Sequence, residues 1–151
     1  MISQYSIMEA IRALAAEKLP ELQRIYIDLA PVDFLRPSLL VAAVTSEVET
    51  ATRNTVSVTS YFTLTVFDET DDYGQSGTER LLDWQSRVLE LFRQGYLRVG
   101  NRSLAVWAST GGRDWDKAFI DVQLSYQDTR DETPDTTPMM GAVDTNMRLK
   151  G

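Results

Sequence analysis

The chain contains no cysteine and no histidine. Without cysteine, no disulfide holds it together and no thiolate serves as nucleophile or metal ligand. Without histidine it lacks the usual general base near neutral pH and the commonest zinc ligand. Catalysis would have to rest on carboxylates, Lys, Tyr or Ser alone, so the composition points to a non-enzymatic role. Cations are scarce as well: 15 Lys and Arg stand against 22 Asp and Glu, a net charge of −7. Affinity for nucleic acid comes mainly from neutralising phosphates, so such a chain sits beside DNA without holding it. The apolar run 39–44 is far too short to span a bilayer. Met1-Ile2-Ser3-Gln4 has neither the basic nor the apolar region of a signal peptide. These absences describe a soluble protein of the cytoplasm, or of something assembled there.

The 151 residues fit one domain, long enough to bury a core. Ser6-Ile7-Met8-Glu9 has the form of a capping box. Ile7, Ile11 and Leu14 follow at helical spacing, which predicts a helix over 6–18 closed by Pro20. Ile25 and Ile27 alternate with Tyr26 and Asp28 as a short strand, and a loop carrying Phe34 runs between Ala30-Pro31 and Arg36-Pro37. Residues 39–44 are apolar on both faces, as in a central strand. Residues 45–55 are polar. Val56, Val58, Phe62, Leu64 and Val66 then line one face of a strand reaching Phe67. Two strands so close in sequence predict a long antiparallel hairpin, roughly 38–67.

An acidic loop over 68–77 leads to a second capping box, Ser76-Gly77-Thr78-Glu79. A helix over 78–94 carries Leu81, Trp84 or Gln85, Val88 and Phe92 in one stripe, widened by Leu82 and Leu89, with Gly95 closing it. Leu97 and Val99 predict a short strand before the Gly100-Asn101 turn, and 103–109 another. Gly111-Gly112 reads as a loop. Ala118, Ile120, Val122, Leu124 and Tyr126 share one face of a last strand over 116–126. Residues 128–138 hold nothing that builds a core and predict an extended linker. A weakly apolar end follows, with Met139, Met140, Val143, Met147 and Leu149. The expected class is α+β: a largely antiparallel sheet with a long β-hairpin and two helices packed on it. A single domain over 1–127 carries an extended C-terminal arm over 128–151.

Strands of about 12–14 residues span on the order of 40–45 Å. A compact domain of this length is roughly 38 Å across. The hairpin is therefore expected to overhang its domain with its polar end: Glu47, Glu49, Thr50, Thr52, Arg53 and Asn54. Protruding hairpins offer edges and side chains to a neighbouring subunit.

Chemical constellations are weak. Asp68, Glu69, Asp71 and Asp72 are oxygen donors for Ca²⁺, but the Gly and closing Glu of an EF-hand loop are missing, which favours a solvated loop. Asp114, Asp116 and Asp121 beside Trp115 have the residue types of a glycosidase site at an unspecific spacing, and Trp115 is better read as covering the sheet end or packing on a neighbour. Asp83 with Arg87 and Glu90 with Arg93 read as surface ion pairs. Arg93, Arg98 and Arg102 gather around the end of the second helix, where cations are favourable and where a partner's acidic patch has somewhere to dock.

Several stretches, in order, resemble the tail terminator (tail completion) proteins of long-tailed bacteriophages and prophages. They are Tyr5-Ser6-Ile7 leading to Ala10-Ile11, Ile25-Tyr26-Ile27-Asp28, and Arg36-Pro37-Ser38 opening an apolar strand. The long Thr-rich strand to Phe67, the second helix, and Leu97-Arg98-Val99 with Arg102 and Leu104 come after them. The resemblance implies a structural virion protein at the tail–neck junction, assembled in the host cytoplasm. It implies a hexameric ring that caps the finished tail tube and gives the head's connector proteins a docking surface. No cofactor, metal or membrane is implied, and DNA passes through the hole without specific binding. Another neck component, such as a head-completion or connector protein, is the alternative, and a small carboxylate-dependent hydrolase is a more distant one. On this reading the interface candidates are Glu47, Glu49, Thr52, Arg53, Asn54, Arg98, Arg102, Trp115, Met139 and Met140. The candidates for lining the hole are Asp68, Glu69, Asp71 and Asp72, together with the hairpin-tip glutamates. Residues 139–151 are expected to reach a neighbouring subunit.

Overall fold

A computed structural model describes residues 1–129. The elements in order are α1 (Gln4–Lys18), β1 (Arg24–Ile27), β2 (Ser38–Thr50), β3 (Thr55–Phe67), α2 (Thr78–Glu90), β4 (Tyr96–Val99), β5 (Arg102–Arg113) and β6 (Lys117–Thr129). The fold is α+β. One curled, mixed six-stranded sheet has the order β1-β2-β3-β6-β5-β4. The curl brings both of its edges to α1, which touches β1 and β2 at one edge and β4 at the other, while α2 lies on β3, β5 and β6. The core fills the space between. It is built from Ile7, Ile11 and Ala15 of α1, Leu81, Trp84 and Val88 of α2, and the inward alternation of the strands, such as Val58, Phe62, Leu64 and Val66 in β3 and Ile120, Val122 and Leu124 in β6.

The sheet is mixed: four of its five pairings are antiparallel, as expected, but β1 pairs with β2 in parallel, from Arg24↔Ser38 to Ile27↔Val41. A four-residue alternation reads the same in both directions, so sequence pattern carries no signal for it. The direction is set by the loop 28–37, which returns the chain to the start of β2. Asp28 turns it at a φ of 72° and donates its N–H to Val41 O, and Gln23 N–H donates to Pro37 O. The Arg36–Pro37 peptide bond is cis.

β2 and β3 pair antiparallel, and the polar stretch after Val44 continues as strand to Thr50, leaving 51–54 to reverse the chain. A bulge between Ala43 and Thr45 inserts Val44 and changes the facing of the residues after it. Ser46 and Val48 then share the helix-bearing side with Ser60 and Val58, while Glu47 and Glu49 lie on the helix-free side opposite Thr59 and Ser57. β3 is paired with β6 along its whole length, from Thr55↔Thr129 to Phe67↔Lys117. The outer half of β2–β3 is therefore not a two-stranded arm clear of the sheet, because β6 flanks it to the end. β6 also absorbs Asp128 and Thr129, the expected start of the C-terminal arm. The rest of that segment, with Met139 and Met140, lies outside the described residues.

Both expected capping boxes resolve differently. α1 begins a turn earlier, with Ser3 as N-cap: its Oγ accepts from Ser6 N–H at 3.1 Å. Glu9 is then free to take Arg12 at i+3. In α2 the N-cap is Gly77 at φ 87°, a conformation a serine resists. Ser76 instead donates its N–H to Trp115 O, and its buried hydroxyl has no partner among the described residues. α2 ends at Glu90, and 91–94 continue as single turns to Gly95.

Gly111 and Gly112 are part of β5, at a second irregularity between Thr110 and Arg113. Gln85, 3% exposed, explains how the irregularity is tolerated. Its Nε2 donates to Phe119 O at 3.1 Å and Gly112 O at 3.2 Å, with Gly111 O at 3.4 Å. Replacing it with a Leu of similar volume removes the donor these carbonyls share. Gln85→Leu should cost about 0.5–1.5 kcal/mol in chemical denaturation at neutral pH.

Candidate functional site

At the end of β3 where it meets α2, a charged network joins four separate pieces of chain. Arg36 Nη1 donates to Asp68 O at 2.8 Å, and its Nη2 to the Asp116 carboxylate at 2.7 Å. Its guanidinium lies 4.6 Å from the centre of the Phe34 ring, which in turn packs on Phe67. Asp68 is fully buried and accepts a two-pronged contact from Arg80, Nε at 2.7 Å and Nη2 at 2.8 Å, plus Glu69 N–H at 2.7 Å. The expectation for Asp68 is a solvated loop facing the hole of a ring; its burial and pairing remove it from that role.

Burial alone pushes the Asp68 carboxyl up. The hydrogen bonds from Arg80 and Glu69 N–H and the charge of Arg80 outweigh it and hold the carboxyl below the ordinary carboxylate range. A carboxyl lowered in the fold contributes stability that is whole above its unfolded value and fades as pH falls through the folded one. The stability difference between the native chain and Asp68→Asn should therefore be constant near neutrality. It should shrink below the ordinary Asp range, about pH 4. Denaturation series at stepped pH check this.

The other acids of the loop behave differently. Asp71 accepts from Tyr73 N–H and Gln75 N–H, which closes the loop locally, while Glu69 and Asp72 are exposed. Among the described residues no group of three or more carboxylates is placed to hold a metal ion. Nor do Asp114, Asp116 and Asp121 converge. Asp116 is paired with Arg36, Asp114 accepts from Trp115 N–H, and Asp121 lies within β6 beside Thr63. Asp121 stands five residues on from Asp116 along nearly extended chain, on the order of 16 Å. That exceeds the roughly 5–9.5 Å between the carboxyls of a glycoside-cleaving pair.

Of the cations, Arg87 pairs with Glu21 at 2.7 Å and stacks on Trp84, so the expected partner Asp83 is not used. Arg93 does pair with Glu90. Arg102 is committed internally: it donates to Gln127 O and stacks on Tyr126. Arg98 is exposed and borders a groove of about 810 Å³ between α1, the end of α2 and β4. Trp115 stands 69% exposed at the β5–β6 turn.

The remaining candidates gather on β2. Beyond Val41 no strand among the described residues pairs with its outer edge. Val44, Glu47, Val48 and Glu49 on this stretch are all exposed, and Thr52, Arg53 and Asn54 follow at the tip. The tip glutamates and the 68–72 loop do not come together. Ser57, opposite Glu49, and Phe67 are ten strand residues apart, on the order of 33 Å.

Among the described residues no helix is long and apolar enough to cross a membrane. Neither a protein-family model nor a curated relative matches this chain.

Proposed function

We propose that this chain is a structural assembly protein of the tail terminator kind. Copies of it form a ring, hexameric by resemblance, that caps a phage tail tube and offers the head's connector proteins a surface to dock on. The observation that carries the reading is the long β2 edge, left without a partner strand over 42–49 among the described residues and dressed with exposed Val44, Glu47, Val48 and Glu49. An open strand edge of this length is a template for another chain.

Two further features support it. The elements follow one another in the order on which the resemblance rests. The Arg36-Pro37-Ser38 stretch at the start of β2 is an anchor that pins the loop 28–37 to β3 and to the β5–β6 turn, which braces the end of the sheet opposite the β2–β3 tip. An acidic chain also suits a hole through which DNA slides, since like charge lowers adhesion to phosphates. The acids available to face it are Glu47, Glu49 and Asp121 on the helix-free side of the sheet, with Glu69, Asp71 and Asp72 at the far end. Incubation with purified tail tubes and with heads tests the reading. Binding to tube ends is the expected result, whereas binding to heads alone would assign the chain to another part of the neck.

A further inference from the structure

The sheet has a second open edge, diagonally opposite the first. β4 covers β5 only over 102–105, and Val106 N–H donates to Gly95 O. Over 107–113, β5 is paired with β6 alone among the described residues. β2 is antiparallel to β3, β3 to β6, and β6 to β5. The two open strands therefore run in opposite directions. A second copy set alongside in the same orientation brings its β5 against β2 antiparallel, which continues the alternation of the sheet.

We propose that the open β2 edge of one copy, around 44–49, pairs antiparallel with the open β5 edge of the next, around 107–113. The proposal rests on the ring reading and names the contact that builds the ring. Charge does not oppose it: residues 42–49 carry Glu47 and Glu49, while 107–113 carry no acid to repel them, Arg113 lying at the Ala43 end of this antiparallel register. Pairing of β2 with its own copy sets glutamates against glutamates, and like charges directly opposite are destabilising. Exposed apolar side chains lie on both edges: Val44 and Val48 on one, Trp107 on the other. Bulges interrupt each edge at Ala43/Thr45 and Thr110/Arg113, leaving short straight stretches that resist indiscriminate pairing.

The geometry suits closure. Through the registers, 42–49 lie level with 57–63 of β3, and 107–113 level with 61–66. The two edges are offset by three to four residues, on the order of 12 Å along the strands. A closed array absorbs such an offset as strand tilt, as barrels do. The contact is heterologous, one patch on a different patch, which generates rings when its rotation closes.

Because the native chain has no cysteine, disulfide trapping reads this contact directly. Val48→Cys and Ala108→Cys lie on the helix-bearing side of the two edges. Glu47→Cys and Ser109→Cys form the corresponding pair on the other side and cover a slip in register. Each variant is made in the full chain, and oligomer mass is measured in parallel, with tail tube protein added. The expected result is a covalent dimer when the two members of a pair are mixed, and none from either alone. A chain carrying both cysteines should give a ladder of covalent multimers. A Val48→Cys disulfide as strong alone as in the mixture would overturn the proposal in favour of β2 pairing with itself. Rings without a disulfide in either mixture would overturn the edge contact and leave the ring reading standing. Monomers throughout would overturn both.

Discussion

Reversing the charges at Glu47, Glu49 and Arg53 together leaves a folded subunit that assembles poorly. All three are exposed. The nearby β2–β3 reversal at 51–54 is held by Ala51 N–H and Thr52 N–H to Thr55 O and by the Thr52–Thr55 hydroxyl pair. None of those bonds uses the three side chains, so the subunit's own stability should move by no more than about 0.5 kcal/mol. At a strand-to-strand contact each reversed charge costs up to about 1 kcal/mol. The two reversals on the proposed contact, at Glu47 and Glu49, amount to about 2 kcal/mol, roughly a thirtyfold weakening, with Arg53 lying beyond it at the tip. A closed ring meets that loss at every contact. Sedimentation at low and high salt checks it, and added salt should narrow the gap between native and variant.

Phe62→Ala should do the opposite and break the subunit itself. Phe62 is 1% exposed at the centre of β3, level with Ala43 on one side and Val122 on the other. Removing a buried ring takes away its transfer free energy and leaves a cavity, about 3–5 kcal/mol. The melting temperature should fall by about 10–15 °C, assembly failing only as the subunit unfolds. The two variants thus divide β2–β3 into an inner part that holds the fold and an outer part that meets a neighbour. A Glu47/Glu49/Arg53 variant that melts as early as Phe62→Ala would erase that division.

The strands and helices were legible because burial leaves a period. The alternation from Val56 to Val66 and from Ala118 to Tyr126 marks the two central strands, and the Leu81–Val88 stripe marks α2. Direction and partnership leave no such trace. Nothing in Ile25-Tyr26-Ile27 says parallel, and nothing in the polar run 45–50 says strand, because its hydrogen bonds go to a neighbour whose identity is not local. Asp68 read as one acid among four. Its burial depends on Arg80, twelve residues on, and on an aspartate–arginine anchor beside it, Asp116 and Arg36, that spans eighty residues. Gly111-Gly112 read as a loop because the residue that satisfies it, Gln85, sits on a helix. The tip residues of the candidate surface were legible from length and polarity alone. The second half of that surface, on β5, was not, because an edge is a property of the whole sheet order.

The most direct measurement is the mass of the full chain in solution, alone and mixed with tail tube protein. A closed oligomer of defined copy number is expected in at least the mixture, with ring-shaped particles of the same mass in electron micrographs. A strict monomer under both conditions would contradict the ring reading.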